Sequence, residues 1–109
     1  MEEARVKMPD RDVEGYLVDP GDWNEEVAEA LGREAGIALE DDHWEVIRFM
    51  RAYYEERQIA ADARFVIRHL ESRYPGAGRR RLFELFPYGY VGQACKLAGM
   101  KRPRAWSTG

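Results

Sequence analysis

Three side chains in these 109 residues could ligate a soft metal or do thiol chemistry: His43, His69 and Cys95, the only cysteine. Their spacings match no common zinc pattern, in which ligands recur in close pairs, so no metal site is expected. His43 falls in the first turn of a strongly apolar helical segment and His69 beside the stripe of another, positions that suit structural or surface roles. Cys95 sits in "QACKLAG" at 93–99, where Val91, Ala94, Cys95 and Ala98 share one helical face. A thiol among small apolar neighbours packs as a hydrophobe, and burial raises its pKa. An exposed thiol beside Lys96 and a basic tail would be pushed the other way, so inert packing and reactive thiol both stand at this point.

Other chemistries find less support. The carboxylates occur in runs such as "EDD" and "YYEER", which read as solvated helix faces rather than an isolated acid–base pair. There is no glycine-rich phosphate loop, Walker pattern or nucleophile elbow, and no cofactor is expected. The cations are more suggestive. Arg79, Arg80 and Arg81, with Lys96, Lys101, Arg102 and Arg104, could line one basic surface around the last two helices. Two short helices joined by "PYGY" could form a helix-turn-helix, which admits a nucleic-acid partner. "YVGQACKLA" offers few base-reading side chains beyond Gln93 and Lys96, so general electrostatic docking is the better supported use.

The elements that must position these groups are mainly helical. Trp23, Val27, Ala28 and Leu31 recur at helical spacing, with Asp22 as the expected N-cap, Glu25 completing a capping box and Gly36 at the exit. "DDHWEVIRFMRAYYEER" carries the widest apolar stripe and should anchor the core, with Asp41 and Asp42 at the positive end of its dipole. A third helix is expected from Ala63 towards Tyr74, stopped by "PGAG" at 75–78. A fourth runs through "RRRLFELF" and ends before Pro87, and a fifth runs from Tyr90 to Ala98 with Gly99 closing it. The opening through "DVEGYLVDPGDW" predicts a small hairpin or an irregular arm.

At 109 residues the chain fits a single domain, 1–109, and 45% hydrophobic residues suffice for a core without staples. No apolar run approaches the length of a membrane span, and the acidic start does not resemble a secretory signal, so a cytoplasmic protein is expected. Charge is divided unevenly. Residues 1–59 hold 17 acids and 7 bases, a balance of −10; residues 60–109 hold 3 acids and 10 bases, a balance of +7. Such polarity suits an anionic partner for the second half, or attraction between the halves within the fold.

Together "EGYL" at 14–17, the Trp23 segment, "HWEVIRFMRAYYEE" at 43–56, "LFELFPYG" at 82–89 and "QACKLAG" at 93–99 resemble the DsrC/TusE family of sulfur-relay proteins. The resemblance spans nearly the whole chain. It implies a compact orthogonal bundle of about five helices with an N-terminal β-hairpin, a helix-turn-helix-like portion and a flexible C-terminal arm, here 99–109. Family members are carriers rather than turnover enzymes. A cysteine near the arm's end takes up persulfide sulfur and presents it to a sulfite reductase or to tRNA-thiolating machinery. Aligning "AGMKRPRAWSTG" on that arm places Trp106 at the terminal cysteine position, while Cys95 matches the upstream cysteine of the DsrC branch. Tyr90 and Gly92 stand where the family commonly has Pro and Lys. The resemblance therefore implies a sulfur-metabolism partner, of sulfite-reductase or sulfur-transferase type, engaged by a regulatory or accessory module. Trp106 would be an aromatic anchor for that partner or would fold back on the domain. The alternatives are a single-cysteine persulfide carrier working through Cys95 and a DNA-binding regulator using the helix-turn-helix-like region.

Overall fold

The computed structural model describes residues 8–102, the side chain of Val91 excepted. A 3-10 turn, Pro20–Asp22, leads into five helices: α1 (Glu25–Ala35), α2 (Asp41–Arg57), α3 (Ala63–Glu71), α4 (Gly78–Leu85), and α5, which opens as a π-helical turn (Tyr90–Ala94) and closes as an α turn (Cys95–Leu97). The expected mainly helical bundle of about five helices is present. Between separate helices, the most extensive pairing is α3 with α4, followed by α1 with α5 and α2 with α3.

The N-terminal β-hairpin is not. Among the described residues there is no strand, only an isolated antiparallel bridge between Arg11 and Leu17. The Asp12 carboxylate accepts from the Glu14 and Tyr16 amides at 2.9 and 3.0 Å, which closes a tight turn. Pro9 and Pro20 have no amide to extend a ladder at either end. The segment is an irregular arm whose Tyr16 and Leu17 are buried.

Helix α1 starts later than the capping pattern predicts. Asp22 ends the 3-10 turn, Trp23 is extended, and the cap is Asn24, whose side chain accepts from the Val27 amide at 2.9 Å. Trp23 is thereby released from the helix to pack elsewhere. Helix α2 matches its expected span, and its buried Val46, Ile47 and Met50 form the centre of the core with Leu70, Leu82, Phe86 and Leu97. Its N-terminus is closed by a capping box of Glu40 and His43. The "PGAG" stop works through Glu71, whose carboxylate accepts from the Gly76 and Gly78 amides at 2.7 and 2.8 Å and lies below the usual carboxylate range for that reason. A Cβ at Gly78 would meet the Ile67 carbonyl oxygen at 2.6 Å, so the α3–α4 contact requires glycine there.

Candidate functional site

Cys95 is fully buried, as are Ala94 and Ala98 on either side of it. Its neighbour in space is Tyr90, 1% exposed, and the π turn explains the pairing. In an α-helix of ~3.6 residues per turn, positions five apart sit roughly 140° apart around the axis, on different faces. The wider turn, in which the Cys95 amide donates to the Tyr90 carbonyl, brings both side chains to the buried side. The Tyr90 hydroxyl donates to the Ala61 carbonyl, so the loop between α2 and α3 roofs this pair. Burial pushes the Cys95 thiol up to about 12, with the nearby Tyr90 hydroxyl pulling weakly the other way. That hydroxyl has one proton, and Ala61 already receives it. Stabilising a thiolate would require withdrawing it. The closed site therefore holds a protonated, inaccessible thiol, the packing alternative of the two that the sequence leaves open.

The C-terminal arm is rooted immediately downstream. Gly99 is buried at a φ of 75° and ends α5 in a Schellman arrangement: its amide donates to Lys96 at 3.0 Å and the Met100 amide donates to Cys95 at 2.9 Å. The last carbonyls of α5 are claimed by distant side chains. Trp23 Nε1 donates to Leu97 at 2.8 Å, and Arg51 Nη1 donates to Ala98 at 3.2 Å and to Pro20 at 3.1 Å. The Arg51 guanidinium also lies 4.6 Å from the Trp23 ring centroid, and partial burial lowers its pKa. Sequence reasoning missed Arg51 as a site residue, because its partners are 31 and 47 residues away and it reads locally as one more polar helix position.

The predicted basic surface is divided. Lys96 and Arg102 converge on the irregular arm: Lys96 Nζ lies 5.2 Å from the Tyr16 ring centroid, and Arg102 Nη1 is 3.0 Å from Glu14 Oε2. Lys101 is exposed beside them. Arg79 and Arg80 are exposed on the first turn of α4. Arg81 is drawn inward to Asp42, donating from Nε at 3.0 Å and Nη2 at 2.9 Å, and to Glu84 at 3.1 Å. Asp42 is buried, also accepts from the Tyr74 hydroxyl and lies 3.5 Å from Arg73. These partners hold its carboxyl below the ordinary range, the Tyr74 hydrogen bond foremost. Its role exceeds the dipole partnership expected from sequence. The pairs Asp42–Arg81, Asp42–Arg73, Glu45–Arg73, Glu45–His69 and Glu14–Arg102 all join an acid of the first half to a base of the second, so part of the charge polarity is spent within the fold. Arg104 and Trp106 lie outside the described residues.

Both histidines are occupied. The Glu40 amide donates to His43 Nδ1 at 3.0 Å, which leaves Nε2 to carry the proton donated to the Leu85 carbonyl at 2.9 Å. His43 thus ties the start of α2 to the end of α4, edge-on to Phe86. His69 donates to Glu45 at 2.7 Å and stacks on Phe49. Helices α4 and α5 follow one another across the turn at 87–89, but the DNA-reading use of this pair is not supported. Gln93, Ala94, Cys95, Leu97 and Ala98 are all buried, and Gln93 accepts from the Tyr88 amide, so the helix meant to read bases faces the core. Among the described residues no helix is long and apolar enough to cross a membrane.

Residues 3–105 match the family described as DsrC like protein. The sulfurtransferase TusE of Yersinia pestis is 37% identical over 105 residues, covering 94% of this chain and 96% of that one. The TusE of Escherichia coli strain K12 is 34% identical over 99 residues, 89% of this chain and 91% of its own. Among solved structures, the oxidized gamma subunit of dissimilatory sulfite reductase (DsrC) from Archaeoglobus fulgidus superposes with a TM-score of 0.83 at 32% identity, over 96% of this chain and 97% of that one. The DsrC of Allochromatium vinosum gives 0.77 at 36% identity, over 89% and 88%.

Proposed function

The chain belongs to the DsrC-like family, and from that premise we propose that it is an accessory docking protein of sulfur relay. It engages a sulfur-metabolism protein of sulfite-reductase or sulfur-transferase type and does not itself carry sulfur in its closed form. The observation that carries this reading is the state of Cys95: the only cysteine in the sequence is fully buried, and its thiol is pushed up to about 12. Trp106 occupies the position at which the family resemblance places the carrier cysteine. The exposed cations Arg79, Arg80, Lys101 and Arg102, with the half-buried Lys96, supply the electrostatic part of docking.

A second reading keeps the carrier chemistry, favoured by the sulfurtransferase name of the relatives and by the Tyr90 hydroxyl beside the thiol. Opening of the loop at Ala61 would free that hydroxyl's proton to stabilise a Cys95 thiolate. The thiolate would then attack the outer sulfur of a donor persulfide. One S–S bond forms, the donor's S–S bond breaks, and the donor leaves as a thiolate with no net oxidation. Incubating the native protein with a persulfide donor, followed by intact-mass measurement, separates the readings. Under conditions that load a TusE protein, the docking reading expects no added sulfur on the native chain. Gain of one sulfur atom, lost in Cys95→Ser, would overturn it and establish the carrier.

A further inference from the structure

A cleft of about 390 Å³ opens between the end of α1, the irregular N-terminal arm and the first turns of α5. Its charged lining is unevenly matched. Arg11 and Glu34 form a forked pair at 2.8 and 3.2 Å, which engages both carboxylate oxygens and cancels both charges. Lys96 has no such counterpart. Its Nζ lies 5.2 Å from the Tyr16 ring centroid, and it pairs with no carboxylate among the described residues. A ring face attracts a cation without cancelling its charge, so the lining keeps one uncompensated positive charge.

Gln93, three residues before Lys96, lines the same cleft and is only 7% exposed. The Tyr88 amide donates to its side chain at 3.1 Å, which identifies that atom as Oε1, because only the oxygen can accept an N–H. Nε2, on the other branch, carries two protons and has an acceptor for neither among the described residues. A buried donor in that state is rare in a folded protein, since nothing replaces its lost hydration. The approach to it is open: a Cβ at Gly92 would meet nothing within 4 Å.

We propose that this cleft binds a small inorganic oxyanion of the sulfate or phosphate type, held between Lys96 Nζ and Gln93 Nε2. The two groups select that class. Both are donors only, so the occupant must accept from each of them. The uncompensated charge requires it to be negative as well, a condition that water does not meet. An oxyanion presents acceptor oxygens on several sides, and its charge strengthens both hydrogen bonds. Positions 93 and 96 lie about one turn apart, so the two donors rise from one wall. Glu34 does not oppose the anion, because Arg11 already holds both of its oxygens. The volume falls at the small end of the range for ligand sites, which is about 300–1,000 Å³. Neither Cys95 nor any residue past 102 takes part, so this inference stands or falls apart from the sulfur readings.

The test is 15N-resolved NMR on the native chain, titrated separately with sulfate, phosphate and acetate at an ionic strength held constant with sodium chloride. The Gln93 side-chain amide pair is the direct reporter and is assigned by its loss in Gln93→Glu. That variant keeps an oxygen to accept from the Tyr88 amide and replaces only the donor. The expected result is a saturable shift of the Gln93 side-chain and Lys96 backbone resonances by sulfate or phosphate, with a Kd on the order of a millimolar. Lys96→Gln should weaken it roughly tenfold or more, and Gln93→Glu should abolish the Lys96 response, while the Trp44 indole resonance stays in place to show that the domain is folded. Shifts that rise without saturating, or that persist at full affinity in Lys96→Gln, would overturn the inference. Saturation by acetate at concentrations equal to or below those of sulfate and phosphate would assign the cleft to a carboxylate and overturn it equally.

Discussion

Gly36 and Gly99 form a matched pair that tests how the arm root is built. Both end a helix at a φ of 75°, and both carry the paired hydrogen bonds of a Schellman ending, at 3.2 and 2.9 Å after α1 and at 3.0 and 2.9 Å after α5. They differ in what surrounds them. A Cβ at Gly36 meets nothing within 4 Å; one at Gly99 would lie 2.5 Å from Trp23 Cδ1 and 2.8 Å from Trp23 Cβ and Cγ. Gly36→Ala therefore carries only the left-handed backbone term, about 1 kcal/mol. Gly99→Ala carries that term and also displaces Trp23, whose indole would lose its hydrogen bond to Leu97, roughly 1 kcal/mol. The contact with Arg51 adds about 0.5–1 kcal/mol. The expected total is about 3 kcal/mol, some 2 kcal/mol beyond the control. Urea denaturation followed by circular dichroism reads both variants against the parent chain. In a Trp23→Ala background the excess at Gly99 should vanish, because the clash partner is gone. Equal destabilisation by the two alanines would refute the account of Trp23 as the wedge that fixes the arm.

Two further outcomes follow from the buried carboxylate. The folded pKa of Asp42 is depressed, so its contribution is fully present above the unfolded value of about 4 and is lost as pH falls through the lower folded value. Asp42→Asn should lower the melting temperature at neutral pH and flatten its decline below about pH 4, measured by thermal melts across that range; an unchanged acid limb would assign the decline to other groups. Among the three consecutive arginines, Arg81→Ala should lose about 2 kcal/mol because a buried charge is left without its forked partner, while Arg79→Ala and Arg80→Ala stay within about 0.5 kcal/mol. Equal effects in denaturant titrations of the three would contradict the inward placement of Arg81.

Local pattern placed most helix boundaries, because local chemistry sets them, although α1 is capped by Asn24 and not by the expected Asp22. The stripe of α2, the glycines at 36 and 99 and the Phe86–Pro87 stop all act within a few residues, and each is where periodicity and punctuation place it. What escaped depends on partners far along the chain. Asp42 reads as a dipole residue until Tyr74 and Arg81, 32 and 39 residues on, close around it. Trp23 reads as part of a helical stripe until Leu97, 74 residues away, takes its indole proton. The π turn has no signature in "YVGQA" by itself. It is fixed by the demand that Tyr90 reach Ala61 while Cys95 stays in the core, a tertiary requirement overriding the local period.

The same geometry shows what the family resemblance can and cannot say about chemistry. The stretches that carry it are the ones that hold the arm root: Glu14 and Tyr16 meet Arg102 and Lys96, Trp23 seals Gly99, His43 binds the end of α4, and Arg51 lies within the longest motif. They are packing residues, and a chain that keeps them keeps the scaffold whatever side chain the arm presents. Position 106 stands seven residues past Gly99 in the sequence and outside the described residues, and none of the described contacts involves it. The resemblance accordingly speaks with full weight for a sulfur-relay scaffold, and the burial of Cys95 means that any chemistry at its thiol must begin with the Ala61 loop moving away from Tyr90.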